Sequence, residues 1–180
     1  MMAVKKYKKP DTLKVLTQLD KELQDKHDST LDDYLGFYIN FDDDDDRYEC
    51  TPEDAIIFGR TGTDGDHFAF LTNNGMIVDL EYAPIVFIQP MDFDNEVKLV
   101  ARNIKEFISL YIQLKELYVL ERFDMYKSES DFIKDYEENY QEDIDDREEE
   151  LQFITMQLQK RIEIKKIENV YSYIKKLRNE

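Results

Sequence analysis

A run of five aspartates at positions 42–46 is the feature of this sequence that most suggests metal chemistry. If its first member is position one of a calcium loop, Glu53 falls at position twelve, where such loops place a bidentate glutamate. Position six, which needs glycine, is Arg47, and Pro52 stands where a helix should begin. Five aspartates also match almost any carboxylate pattern by chance. We therefore predict an exposed loop at 42–46 and no calcium site.

Three glycines at a spacing of three, Gly59, Gly62 and Gly65, raise the possibility of a phosphate-binding loop. Neither Lys-Ser nor Lys-Thr follows them, and no strong helical pattern begins there, as a phosphate loop requires. Their spacing also differs from the dinucleotide-binding fingerprint. The glycines instead indicate a tight connection between strands that needs positive φ angles.

The nucleophile and soft metal ligands of this chain are few. Cys50 and His67 could form a nucleophilic pair if the fold brought them together. Even with His27, they supply too few soft ligands for a typical zinc site. The alternation of residue types at His67-Phe68-Ala69-Phe70 predicts that the side chain of His67 lies on the exposed face of a strand. Some of the 41 acidic residues are bound to lie close together by chance, so a pair of carboxylates in this sequence does not by itself indicate a catalytic site. We predict no catalytic site, no metal and no cofactor.

The formal net charge of −17 narrows the class of partner. Nucleic-acid binding depends on Lys and Arg that neutralise phosphates, and an acidic surface is also repelled by anionic membranes. A basic protein partner is favoured, since opposite charge speeds encounter; the alternative is that the charge only keeps the chain soluble.

Several features of the sequence predict a cytoplasmic location. The single cysteine fits a reducing compartment. Lysines near the N-terminus are not followed by the apolar stretch of a signal peptide. No apolar run approaches the roughly 20 residues needed to cross a bilayer. The length of 180 residues suggests one domain, or one domain with an appendage.

The elements that would position these residues change along the chain from helix to sheet to helix. A helix capped by Asp11 comes first, and residues 29–40 are typical of a short helix followed by a strand or loop. Strands are predicted at 55–58, 67–71, 76–80 and 84–88, with an edge strand at 97–101. Close spacing and the turn at Asn73-Asn74-Gly75 favour an antiparallel meander.

Helical periodicity begins at Asn103, where Glu106 three residues later resembles a capping box. Three more helices are predicted after Ser128, from about Asp145 and around Ile167. The predicted fold class is α+β: an antiparallel sheet flanked by helices, with a helical C-terminal extension. We divide the chain into a core at residues 1–111 and an extension at 112–180 that packs on it.

Residues 55–70, Ala-Ile-Ile-Phe-Gly-Arg-Thr-Gly-Thr-Asp-Gly-Asp-His-Phe-Ala-Phe, resemble the signature region of the SUKH superfamily, which includes regulators of fungal cell-wall assembly. Residues 85–88 and 100–108 are similar to its later strand and closing helix. The resemblance spans roughly 30–112 and implies a sheet flanked by helices; many bacterial members are immunity proteins that neutralise toxins. The chain departs from the family in lacking tryptophan and in its long helical extension.

The predicted function is a non-catalytic protein-binding module, specifically an immunity protein that neutralises a basic toxin domain. Alternatives are a regulatory or scaffolding protein without a toxin partner and an enzyme that uses carboxylates or a metal. Acidic residues in predicted loops are the candidate partner-binding residues: Asp42, Asp43, Asp44, Asp45, Asp46, Asp64 and Asp66.

Overall fold

A computed structural model describes residues 7–41 and 47–179, and within them the chain has the predicted α+β class. Two helices precede the sheet, at Asp11–His27 (α1) and Leu31–Leu35 (α2). After the sheet come the helices Ile104–Leu114 (α3), Glu129–Asn139 (α4), Gln141–Asp146 (α5), Glu148–Arg161 (α6) and Val170–Arg178 (α7). Short 3₁₀ segments lie at Leu80–Tyr82 and Leu117–Met125.

The strands of the described residues form one antiparallel meander in the order of the chain, as predicted. They are Tyr38–Ile39 (β1), Ala55–Arg60 (β2), His67–Leu71 (β3), Ile85–Ile88 (β4) and Val97–Ala101 (β5). Gly62 and Gly65, in the β2–β3 turn, both have φ of +78°, which confirms the predicted use of positive φ. Gly59 lies within β2 instead, where a Cβ would overlap the ring of Phe37.

The strand predicted at 76–80 is wrong. Residues 73–76 form a turn, and Asp79 then begins the 3₁₀ segment by accepting a hydrogen bond from the backbone N–H of Glu81 at 3.2 Å. The only sheet-like pairing in the described part of this stretch is one isolated parallel bridge between Asp79 and Lys8. A polar cap thus replaced the strand that the turn signal and the apolar residues after it predicted.

The two faces of the sheet are covered differently. The helix face is packed by α1 and α3 and carries aromatic rings, such as Phe68 and Phe87, whose centroids are 4.5 Å apart. The opposite, strap face is covered by residues 47–54, which we call the strap, and it carries smaller side chains. Its buried members are Ala55, Ile57, Ala69, Val86 and Ile88.

The C-terminal helices share the core of the sheet. Ile154 and Leu158 of α6 and Ile174 and Leu177 of α7 belong to the same buried cluster as the phenylalanines of the helix face. The boundary that we drew after residue 111 falls inside α3, so no break in structure marks it. Asn103 caps α3 by accepting a hydrogen bond from the N–H of Glu106 at 2.9 Å, as the sequence predicted.

Candidate functional site

The predicted partner-binding aspartates have different environments. Asp64 is exposed in the β2–β3 turn, where its φ of +52° is a conformation that aspartate tolerates better than most residues. Asp66, two residues later, is only 5% exposed. Residues 42–46 lie outside the described part of the chain. Asp66 is therefore part of a packed polar cluster and is not a loop-surface residue.

That cluster is organised by the side-chain amide of Gln89, which follows β4. Its Nε2 donates to Asp66 Oδ2 at 3.2 Å and to Glu121 Oε2 at 2.9 Å. Its Oε1 accepts from Lys98 Nζ at 2.7 Å. Because an ammonium group can only donate, Lys98 fixes the amide oxygen on its own side and directs both N–H bonds toward the carboxylates. The amide thus holds two acidic side chains together.

Lys98 is fully buried, with no exposed side-chain surface. Its ammonium group donates to Asp92 Oδ2 at 2.5 Å as well as to Gln89. A buried ammonium group is costly unless it is paired and hydrogen-bonded, and these two partners meet that requirement. Sequence analysis missed Lys98, because a lysine that alternates with Val97 and Leu99 is typical of the solvent-facing side of an edge strand.

Tyr118, from the 3₁₀ segment Leu117–Met125, completes the cluster. Its hydroxyl lies 3.1 Å from Asp66 Oδ2 and 3.2 Å from Thr61 Oγ1. Burial raises the pKa of Tyr118 to about 12, so its hydroxyl remains protonated and donates at neutral pH. Burial also raises the pKa of Asp66, against the opposing effect of the hydrogen bonds from Gln89 and Tyr118. Nearby Glu121 and Asp64 raise it further.

Above the cluster lies an open cleft of about 410 Å³, which we call the acidic cleft. Four carboxylates line it, from Asp64, Asp66, Asp92 and Glu121. The one basic residue in its lining, Arg122, pairs with Asp135 at 3.0 Å and lies 3.9 Å from Glu121. The cleft therefore presents more negative charge than positive to an incoming group.

The rim of the acidic cleft is apolar. Met91 is 62% exposed and Met125 is 76% exposed, and both line the cleft. Phe93, 73% exposed, lies on the same β4–β5 loop and borders a neighbouring depression lined by Glu49 and Glu96. Exposed methionine and aromatic side chains provide adaptable contact area for a partner. No sequence pattern set these residues apart from other loop residues.

The residues considered for nucleophilic chemistry lie elsewhere: Cys50 is part of the strap, and His67 lies beneath it. His67 is buried, which corrects the prediction that it lies at a strand surface. Both of its ring nitrogens have partners: Nε2 lies 3.1 Å from Thr51 Oγ1 and Nδ1 lies 2.7 Å from the Gly65 carbonyl. Burial lowers the pKa of His67 and raises the pKa of the Cys50 thiol. A thiol with a raised pKa is poorly activated for attack.

The donor set of the acidic cleft suits a cationic group better than a metal ion. Among the described residues, no cluster of three or more His, Cys, Asp or Glu side chains has the arrangement needed for a metal. Carboxylates at the mouth of a cleft form strong, charge-assisted hydrogen bonds with ammonium and guanidinium groups. The cleft is thus equipped to receive the end of a lysine or arginine side chain.

Comparisons with known protein families, with curated proteins and with solved structures find no match to this chain. Within residues 7–41 and 47–179, no helix combines the length and the apolar character needed to cross a membrane.

Proposed function

We propose that this chain is a non-catalytic protein-binding module that acts in the cytoplasm as an immunity protein, neutralising a basic toxin domain. The observation that carries the proposal is the pairing of charge and apolar surface at one end of the sheet. The carboxylates of the acidic cleft lie beside Met91, Phe93 and Met125, which are mostly exposed. Residues 55–70 resemble the SUKH superfamily, and because many of its bacterial members neutralise toxins, a toxin domain is the partner that we propose.

The two components of this surface have separate roles in the proposal. Carboxylates of the acidic cleft accept hydrogen bonds from a lysine or arginine of the partner, and the buried amide of Gln89 holds two of them in place. The methionines contact the aliphatic part of that side chain and the surface around it. In protein interfaces a few well-packed anchors supply most of the affinity, while complementary charge mainly raises the association rate. Blocking a toxin in this way needs no chemistry from the immunity protein.

The test uses the toxin domain that the proposal expects to be encoded beside the gene for this chain. Co-expression with the wild-type chain is expected to restore growth to cells that produce the toxin, and the purified proteins should form a complex. Met125→Lys and Asp64→Lys place a positive charge at the acidic cleft and should weaken the complex at least about 5-fold, since the loss of an energetically important contact costs about 1 kcal/mol or more. Met76→Lys is the matched control, because Met76 is 72% exposed and lies in the β3–β4 connection at the other end of the sheet.

The immunity assignment would be wrong if no neighbouring gene encodes a toxin domain, or if the neighbouring toxin is unaffected by this chain. Equal affinity of the Met125→Lys and Met76→Lys variants would leave binding in place but remove the acidic cleft as its site. Circular dichroism of each variant establishes that its fold is intact.

The aspartate run at 42–46 is proposed to act on the rate of encounter. Electrostatic attraction acts before contact and is screened over about 8–10 Å at ordinary salt concentrations. Replacing the five aspartates by asparagine should therefore slow association with the basic toxin domain more than it speeds dissociation. Stopped-flow association measured against ionic strength tests this, and a salt-independent rate that is unchanged in the asparagine variant would contradict it.

A further inference from the structure

A second pocket, distinct in its lining from the acidic cleft, lies among the C-terminal helices. It has a volume of about 350 Å³, at the lower end of the range for small-molecule sites. Three aromatic rings line it, from Phe132 and Tyr136 of α4 and Tyr171 of α7. Ring centroids are 6.1 Å apart for Phe132 and Tyr136 and 6.3 Å apart for Phe132 and Tyr171. We call this the aromatic pocket.

Hydrogen bonds fix the walls of the aromatic pocket. The Tyr136 hydroxyl donates to the carbonyl of Leu114 at 2.6 Å, which ties α4 to the end of α3. Gln113 bonds both backbone groups of Ile167, at 2.8 and 2.9 Å, and so anchors the segment that leads into α7. Asn169 caps α7 by accepting from the Ser172 N–H at 2.7 Å. The rings are therefore held in position before any ligand arrives.

The charged residues that line the aromatic pocket are all acidic. Three glutamates line it, Glu129, Glu137 and Glu168, and no lysine, arginine or histidine does. Glu129 accepts a hydrogen bond from the neutral amide of Asn169 at 2.9 Å. Among the residues that the structure describes, the side chains of Glu137 and Glu168 have neither a hydrogen bond nor an ion pair. The lining of the pocket thus combines two unpaired carboxylates with the negative faces of aromatic rings.

We propose that the aromatic pocket binds a small organic ammonium ion. A cation within about 6 Å of a ring centroid is attracted to the face of the ring, and aromatic cages flanked by carboxylates suit alkylated ammonium groups in particular. Tyr171 already has a cation near its ring, since Lys175 Nζ lies 5.6 Å from the ring centroid, so the proposed ligand is expected to use mainly the rings of Phe132 and Tyr136. The glutamates exclude anionic ligands by repulsion. They would be of no use to a neutral apolar ligand.

The test compares choline with 3,3-dimethylbutan-1-ol, which has the same shape but no charge. Each is titrated into the full chain at constant ionic strength and followed by ¹H–¹⁵N correlation spectra. Choline should produce saturable shifts centred on residues 129–141 and 167–171, and the neutral alcohol should bind at least about 10-fold more weakly, as expected for loss of a cation–π contact in a partly desolvated site. Equal shifts from both compounds, or the same shifts from added sodium chloride, would overturn the proposal.

Two kinds of variant separate the charge from the rings. Glu137→Gln combined with Glu168→Gln removes two negative charges while keeping side chains of nearly the same size and shape. This double variant should bind choline several-fold more weakly. The matched control is Glu149→Gln with Glu150→Gln, which removes the same charge from exposed positions of α6 and should leave binding unchanged. Phe132→Leu removes a ring but keeps an apolar side chain and should also weaken binding. If the pocket variants and the control bind choline equally, the ligand does not occupy this pocket.

A third ligand distinguishes a free ammonium ion from the same group on a protein. Nα-acetyl-Nε-trimethyllysine amide carries the trimethylammonium group at the end of a lysine side chain. Tighter binding of choline would support a free small molecule, as proposed. Tighter binding of the lysine derivative would overturn that assignment in favour of a modified side chain. Because none of these ligands involves the toxin domain, the result is independent of the proposed immunity function.

Discussion

The two faces of the central sheet are covered by different kinds of structure, helices on one face and an irregular segment on the other. The helix face packs phenylalanines against α1 and α3, and Phe107 of α3 lies 5.0 Å from Phe68 between ring centroids. The strap face packs small aliphatic side chains under residues 47–54, a segment without regular secondary structure. The strap begins directly after the aspartate run. One face of the sheet is therefore covered by helices and the other by an irregular segment, and we expect the irregular cover to adjust more readily to a cavity.

The largest effect is expected from two neighbouring residues of β2 that are matched in type. Ile56, on the helix face, and Ile57, on the strap face, are both buried. Replacement of either by alanine should cost about 2–5 kcal/mol, with the cost depending on how far the cavity collapses. Ile56→Ala should fall near the upper limit, and Ile57→Ala near the lower limit because the strap can move inward. Urea unfolding measures both, and equal losses would show that the strap is as rigid as the helices.

Two glycines give a second, smaller contrast. In Gly59→Ala the new methyl group meets Phe37, which is fully buried, so we expect a cost of about 1–3 kcal/mol from overpacking. In Gly65→Ala it meets the ring of Tyr48, which is 41% exposed, and the positive φ adds strain of similar size. Adding Tyr48→Ala should recover part of the second loss, beyond the cost of Tyr48→Ala alone. No recovery would mean that the strap cannot release the contact.

His67 should make the strap face sensitive to acid. Because burial holds its pKa below the ordinary value of 6.5, the unfolded chain takes up a proton more readily than the folded chain. Stability should therefore be fully present above pH 6.5 and fall as the pH drops through that value. The difference in unfolding free energy between about pH 7.5 and about pH 5.5 should be smaller in His67→Gln than in the wild type.

The control for this experiment is His27→Gln, because His27 is exposed at the end of α1. It should keep the pH dependence of the wild type, which includes contributions from the carboxylates. If His67→Gln and His27→Gln show the same dependence, His67 does not control the response of the strap face to acid.

The smallest effect on stability is expected at Asp66, on the border of the acidic cleft. Its pKa is raised mainly by burial, so the folded state favours a neutral group, and the ionised carboxylate lowers stability as pH rises through its pKa. Asp66→Asn should leave stability at neutral pH unchanged or raise it by up to about 1 kcal/mol. If the proposed function is right, the same variant should weaken binding of the basic toxin domain, as expected for a residue that serves binding at the expense of stability. Clear destabilisation would indicate a structural role for Asp66 instead.

Local patterns in the sequence predicted most of the elements correctly. α1, α3 and α4 follow the predicted apolar periodicity, and Asn103 and Ser128 cap the helices they were expected to begin. The strands at 55–60, 67–71, 85–88 and 97–101 also lie where alternation and turns predicted them. These signals succeed because capping, helical spacing and tight turns depend on residues close together in the chain. The prediction failed at 76–80, where a side-chain cap competed with strand pairing. The predicted cap of α1 by Asp11 was also wrong, because Pro10 precedes the helix and Asp11 is its first residue, without a side-chain cap.

The α+β class, the antiparallel meander and the excess of negative charge could all be read from the order and types of the residues. Which polar residues are buried became visible only in the folded chain. Lys98, Asp66 and His67 all had the sequence context of surface residues, yet each is buried with polar partners. Tyr118 and Thr51 come from other segments to meet Asp66 and His67, whereas Asp92 and Gln89 meet Lys98 within one hairpin whose closing loop folds back over it. A polar group can be buried only where such partners meet it, and that meeting depends on long-range packing that no local spacing encodes.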